Sequence, residues 1–141
     1  MIPTTHHGRW SGENRLWLDG PGAPARSQAT MTCTADGVDV HWSHAGKEHS
    51  GSLRLHGQPA ALRLAFQDSF HAATEMSLHG THESGFVVAR GTYEAGPGHP
   101  EWGWIIELDW RDPDALVLRM FNVVPGQGPV LAVLLAAMRA E

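Results

Sequence analysis

Two alternating runs, Trp102 to Trp110 and Ala115 to Val124, joined by Arg111-Asp112-Pro113-Asp114, constrain this chain more than any other feature. Successive side chains of a strand point to opposite faces, and a short Asp/Pro-rich link between two such runs suits a hairpin. Trp102, Trp104, Ile106, Leu108 and Trp110 fall on one face of the first run, opposite Gly103, Ile105, Glu107 and Asp109. In the second run Leu116, Leu118, Met120, Asn122 and Val124 oppose Val117, Arg119, Phe121 and Val123. Both faces of that run carry apolar mass, which places it in the middle of a sheet. Any fold the chain adopts has to bury the tryptophan face.

The rest of the chain repeats the pattern. Arg9 to Leu18 alternates and is stopped by Asp19-Gly20-Pro21-Gly22; Arg26 to Thr34 carries Ala29, Met31 and Cys33 on one side; Val38, Val40 and Trp42 follow the Asp36-Gly37 turn. Lys47 to His56, Ala61 to Phe70, Ala73 to His79 and Gly85 to Tyr93 continue it, each bounded by a turn signal. The last segment, Val130 to Met138, is where helix and strand compete, because its Ala and Leu content favours helix. Strand is the preferred reading, since a meander needs its last strand to cover its first. About ten short runs with turns every ten to twelve residues predict an all-β chain. The expected fold is an up-and-down antiparallel β-barrel of about 8–10 strands with an internal cavity, formed by residues 9–141 after a loose leader, 1–8.

Size and composition narrow the function classes. A domain of 141 residues buries roughly two thirds of its unfolded surface and needs no staple. One cysteine, Cys33, excludes an intramolecular disulfide framework. The N-terminus has no charged region followed by an apolar core, and no run is long enough to span a bilayer as a helix, so a cytoplasmic protein with no membrane partner is expected. A net charge of -5, without a Lys/Arg cluster, argues against nucleic acid.

Gly8-Arg9-Trp10 at the opening of the first run resembles the Gly-x-Trp motif of the calycins, the lipocalin and fatty-acid-binding-protein group of small barrels. The resemblance implies that Trp10 closes one end and that a basic residue from the end of the barrel, here Arg139, packs over its ring. Asp68-Ser69-Phe70-His71, Gly91-Thr92-Tyr93 and Trp102-Gly103-Trp104 are similar to elements of uncharacterised bacterial lipocalin-like domains, a likeness covering nearly the whole chain. The ten-run count leans toward the fatty-acid-binding or nitrobindin-like shape. The lack of cystines and of a signal segment departs from secreted lipocalins and puts an extracellular carrier role in doubt.

A small barrel points to a cavity, and the informative residues are the polar ones facing it. Asp68 shares the face of Leu62, Leu64, Phe66 and Phe70. With His71 nearby it can form a dyad that orients the imidazole for proton transfer, with Tyr93 as a donor. Equally, Asp68 can cap turn amides and leave His71 in solvent. Trp42, Phe66, Phe70, His79, Arg90, Trp102, Trp104 and Met120 make up the candidate ligand-binding set. The tryptophans are barrel core or a stacking surface for a planar molecule. An inward Arg90 would receive a carboxylate, whereas Arg119 is expected to pair with Glu107 on the outer face.

Ten histidines raise metal or haem. The pairs His41/His44 and His79/His82 lie on opposite strand faces at three-residue spacing, which leaves only a cross-strand set such as His41, His71 and His79, or haem on His99. No cofactor and no metal ligand is therefore assigned, and Cys33 is read as a small core residue. The expected function is binding of a small hydrophobic or aromatic molecule. A cofactor-independent isomerase, cyclase or dehydratase using Asp68 and His71 is the alternative, and haem or metal binding a weaker one. A homodimer through an exposed strand or the apolar last run is left open.

Overall fold

The computed structural model describes residues 1–140. Each alternating run becomes a strand: β1 Gly8–Leu16, β2 Ala25–Thr34, β3 Gly37–His44, β4 Lys47–Gln58, β5 Ala61–Asp68, β6 Met76–Glu83, β7 Phe86–Tyr93, β8 Trp102–Asp109, β9 Ala115–Val123 and β10 Val130–Arg139. Consecutive strands pair antiparallel, and β1 also pairs with β10, which closes the barrel. The last segment is thus a strand despite its Ala and Leu content, because a full ladder of partners on β1 and β9 outweighs local helix propensity. The closed ten-strand meander is consistent with a calycin-like barrel. Among the described residues no helix is long and apolar enough to cross a membrane.

Two-residue turns with positive φ at both positions, Ala45 (51°) with Gly46 (77°) and Ser84 (49°) with Gly85 (88°), match the twist of the strands they join. The up-and-down order sends alternate connections to opposite ends. The long ones, 17–24, 69–75, 94–101 and 124–129, all lie at one end with the 45–46 turn. The other end has the short links 35–36, 59–60 and 84–85, together with 110–114.

That second end is plugged. Trp10 is fully buried, its indole N–H donates to the His6 carbonyl at 2.9 Å, and the Arg139 guanidinium lies 4.1 Å from the ring centroid. Arg139 also donates to the backbone carbonyls of His7, at 2.7 Å, and of Thr5. The register that pairs Trp10 with Arg139 across β1 and β10 delivers the cation to the ring. Residues 1–8 are accordingly not a loose leader: Ile2 and His6 are buried, a 3-10 turn spans Thr4–His6, and Gly8 already belongs to β1. Burying Ile2 and tying the segment to Arg139 offsets the entropy of ordering it.

Above the plug, inward residues fill the barrel. Leu53, Leu62, Leu64, Phe66, Leu78, Ile106, Leu108, Leu116 and Leu118 are almost completely buried. Cys33 belongs to this core at 2 % exposure, and burial pushes its thiol up to about 11, against a small opposing pull from Arg139. A protonated, enclosed thiol is no nucleophile. Truncating the plug tests the closure: Trp10→Ala is expected to lower unfolding free energy by about 3–5 kcal/mol in urea denaturation, and Arg139→Ala by about 1 kcal/mol.

Candidate functional site

The open end is organised by the turn that follows β5. β5 is inward at Leu62, Leu64, Phe66 and Asp68, so the alternation carries a carboxylate to the interior as the strand ends. Its side chain is 5 % exposed. Oδ1 accepts the amides of Phe70 at 3.1 Å, Ala72 at 2.9 Å and His71, while Oδ2 lies 2.9 Å from His71 Nδ1. Asp68 thus caps the turn with one oxygen and holds the imidazole with the other, and His71 is not left in solvent. Burial pushes the Asp68 carboxyl up, but the hydrogen bond and charge of His71, with the amides of Ala72 and His71, outweigh it and hold it below the usual value.

Gly51 makes room for this carboxylate. It pairs directly with Asp68 across β4 and β5, and a Cβ on Gly51 would lie 2.7 Å from the Asp68 Cβ, too close for either to stay in place. The glycine in the middle of β4 is thus a spatial requirement of the inward acid.

Around the pair, rings form a continuous aromatic wall. Trp42 stacks on His49 at 4.7 Å; Phe70 meets Trp42, His44, His49 and His71 edge-on; His71 lies 5.3 Å from Trp104, which meets Tyr93 at 6.2 Å. The Tyr93 hydroxyl donates to Asn122 Oδ1 at 2.6 Å. Burial raises the phenol above its usual value, with the Asn122 bond pulling the other way, so Tyr93 stays a proton donor. Since Asp68 is ionised and accepts at Nδ1, the Nδ1 of His71 carries the proton. No hydrogen bond within the described residues uses its Nε2.

His71 lines two spaces. One is a central gap of about 20 Å³, room for one water-sized group, bounded by Asn14, Trp42, Phe66, Asp68 and Met120 among others. The second is a pocket of about 210 Å³ at the mouth, lined by Trp17, Leu18, Phe70, Met76, Tyr93, Trp104, Asn122 and Ala132. The cavity expected from the fold is therefore confined to the open end, because apolar side chains fill the remainder. Asp68, His71 and Tyr93 are gathered there with Trp42, Phe66, Phe70, Trp104 and Met120. Trp102 is half-buried and sits behind Tyr93, 6.4 Å between ring centres.

One expectation needs correction, and the residues of two weaker options are not brought to the site. Arg90 and His79 are exposed and pair with each other across β6 and β7 on the outer face, since their neighbours Ala89 and Leu78 take the inward positions. Neither reaches the pocket. His99 is exposed in the 94–101 connection and lines neither space. His41 and His79 lie outside the barrel and His71 inside, so that set is not brought together, and the described residues contain no cluster of three or more metal-ligating side chains. Arg119 pairs outside with Glu107, at 3.7 Å, as expected.

Sequence reasoning set Asn14 and Asn122 on apolar strand faces but gave neither them nor His49 a place in the site. Asn14 and His49 are buried, Asn122 half-buried, and His49 Nδ1 lies 2.9 Å from Ser69 Oγ. Each interrupts an apolar stripe at an inward position, and that interruption was the available signal. No protein-family model matches the chain, and a search of curated proteins also finds no match. The calycin-like likeness therefore rests on the closed meander and on the geometry of its Trp10–Arg139 plug.

The depressed Asp68 carboxyl stabilises the fold fully above pH 3.8, its unfolded value, and that contribution disappears as pH falls through the lower folded value. Asp68→Asn is expected to cost about 3 kcal/mol near pH 7 and to unfold with a shallower acid dependence below pH 4, read by thermal scans across pH. Gly51→Ala is expected to cost about 1–3 kcal/mol and to broaden or shift the His71 imidazole signals in nitrogen-15 NMR. Unchanged His71 signals would mean that the acid tolerates the extra methyl.

Proposed function

We propose that the protein binds a small hydrophobic or aromatic molecule in the mouth of the barrel, over Phe70, His71, Tyr93 and Trp104. The observation that carries this reading is the 210 Å³ pocket whose aromatic walls include His71, an imidazole held from behind by the buried Asp68. Apolar walls with a few convergent polar groups are what a small-molecule site requires. Within the calycin-like group, the ten-strand meander favours a fatty-acid-binding or nitrobindin-like relationship over a lipocalin one. The pocket is too small for a long acyl chain, and with Arg90 outside no arginine or lysine lines it.

The Asp68–His71 geometry supports a second reading, an acid/base enzyme of the isomerase, cyclase or dehydratase type that works without a cofactor. Asp68 fixes the tautomer, the free Nε2 accepts a proton from substrate, and Tyr93 is within the same pocket as a donor. All three roles need only the chain's own residues.

Native mass spectrometry of protein purified from its own host is expected to reveal a bound small molecule that Trp104→Ala releases. Protein that is empty and binds no small aromatic compound at millimolar concentration would remove the binding role. His71→Ala separates the two readings. A binder changes affinity with no turnover to lose, whereas an enzyme keeps its fold and its affinity and loses about 10²- to 10⁴-fold in turnover.

A further inference from the structure

We propose that the central gap is a binding site for one water molecule, and that the Asn14 side-chain amide holds this water beside the Asp68–His71 pair. The proposal is independent of whether the mouth stores its ligand or converts it. Asn14 lies on the inward face of β1, paired with Ser27 on β2 and Leu135 on β10. It is 3 % exposed and lines the gap together with Asp68 and His71. Its side chain makes no hydrogen bond within the described residues. The buried side-chain polar atoms that are shut off without a partner belong to His6, His82 and Trp104, and the Asn14 amide is not among them. The amide is therefore open to a water-sized group, and the gap is the space that Asn14 lines.

Size and polarity name the occupant. An amide offers two donors and an acceptor, so burying one without partners is unfavourable. An aliphatic residue at the same inward position would continue the stripe of Trp10 and Leu16 and leave no polar group unpaired. The gap of about 20 Å³ admits one water and nothing larger. A buried water needs roughly two to four polar partners, and Asn14, Asp68 and His71 border this space. An anion would meet the ionised Asp68. A cation would meet a carboxylate already surrounded by the amides of Phe70, His71 and Ala72 and by the His71 proton. An apolar occupant would leave the amide unpaired. Water fits all three constraints: it accepts from the Asn14 NH₂ and donates to the Asp68 carboxylate, the one ionised acceptor at the gap. Asn14 is thereby a positioning residue, acting through the water on the charge that fixes the His71 tautomer.

Nuclear Overhauser transfer from water to the methyl groups of Val40, Leu118 and Met120, which border the gap, tests occupancy in the wild-type protein. The transfer is expected with the sign of a water that tumbles with the protein, and its absence would mean a dry gap and overturn the proposal. Two variants of matched shape test the holder, since Asn14→Thr carries a hydroxyl where Asn14→Val carries a methyl. Both residues are strand formers, and the wild-type measurement stands without either variant. The threonine variant is expected to keep the transfer and the valine variant to lose it. The Asp68 carboxyl, followed by carbon-13 NMR, is expected to titrate at least about half a pH unit higher in Asn14→Val than in Asn14→Thr, because a carboxylate that loses a donor holds its charge less readily. Equal transfer or equal Asp68 titration in the two variants would show that Asn14 does not hold the water, and would overturn the proposal as well.

Discussion

Closure of the first strand on the last is the constraint on which the rest of the molecule depends. An open meander would leave β1 and β10 as bare edges, each with a row of unpaired backbone groups. Pairing them from Trp10 with Arg139 to Leu16 with Val133 removes both edges and fixes the register of the sheet. The same register sets a cation over the indole that plugs one end, and that cation ties down the N-terminal segment through the carbonyls of Thr5 and His7. With one end plugged and the middle packed, access to the interior is left to the end that carries the longer connections.

At that end the decisive group is a single carboxylate. An ionised acid at 5 % exposure is costly unless every lone pair finds a donor. Asp68 meets the condition with three backbone amides on one oxygen and an imidazole on the other, so the stability of the turn and the orientation of His71 have one cause. Gly51 shows how far the constraint reaches, since the opposite strand gives up a side chain to admit the acid. Trp104 differs from Asp68 in kind. Its N–H is buried with no hydrogen-bond partner among the described residues.

The strands and their faces were legible because they are local properties. Alternation placed Trp10, Asn14, Asp68, Trp104 and Asn122 on the inward side before any neighbour was known. The same rule, applied consistently, puts His79 opposite Leu78 and Arg90 opposite Ala89. Both were assigned to the pocket on the appeal of their chemistry, and strand parity overrode it. The contact between Asp68 and His71 was half legible: three residues in a turn bring the side chains within reach, but only the folded turn decides whether they meet inside or in solvent.

Sequence alone determined the class of fold, the approximate number of strands and the inward stripe, because a strand's period and a turn's residue types are written within a few positions of each other. Tertiary structure alone decided that the cavity is a small pocket at one end, that residues 1–8 belong to the plug, and that Trp104 lacks a partner. Those outcomes depend on the sum of side-chain volumes and hydrogen bonds across ten strands, and no local window of the chain contains that sum.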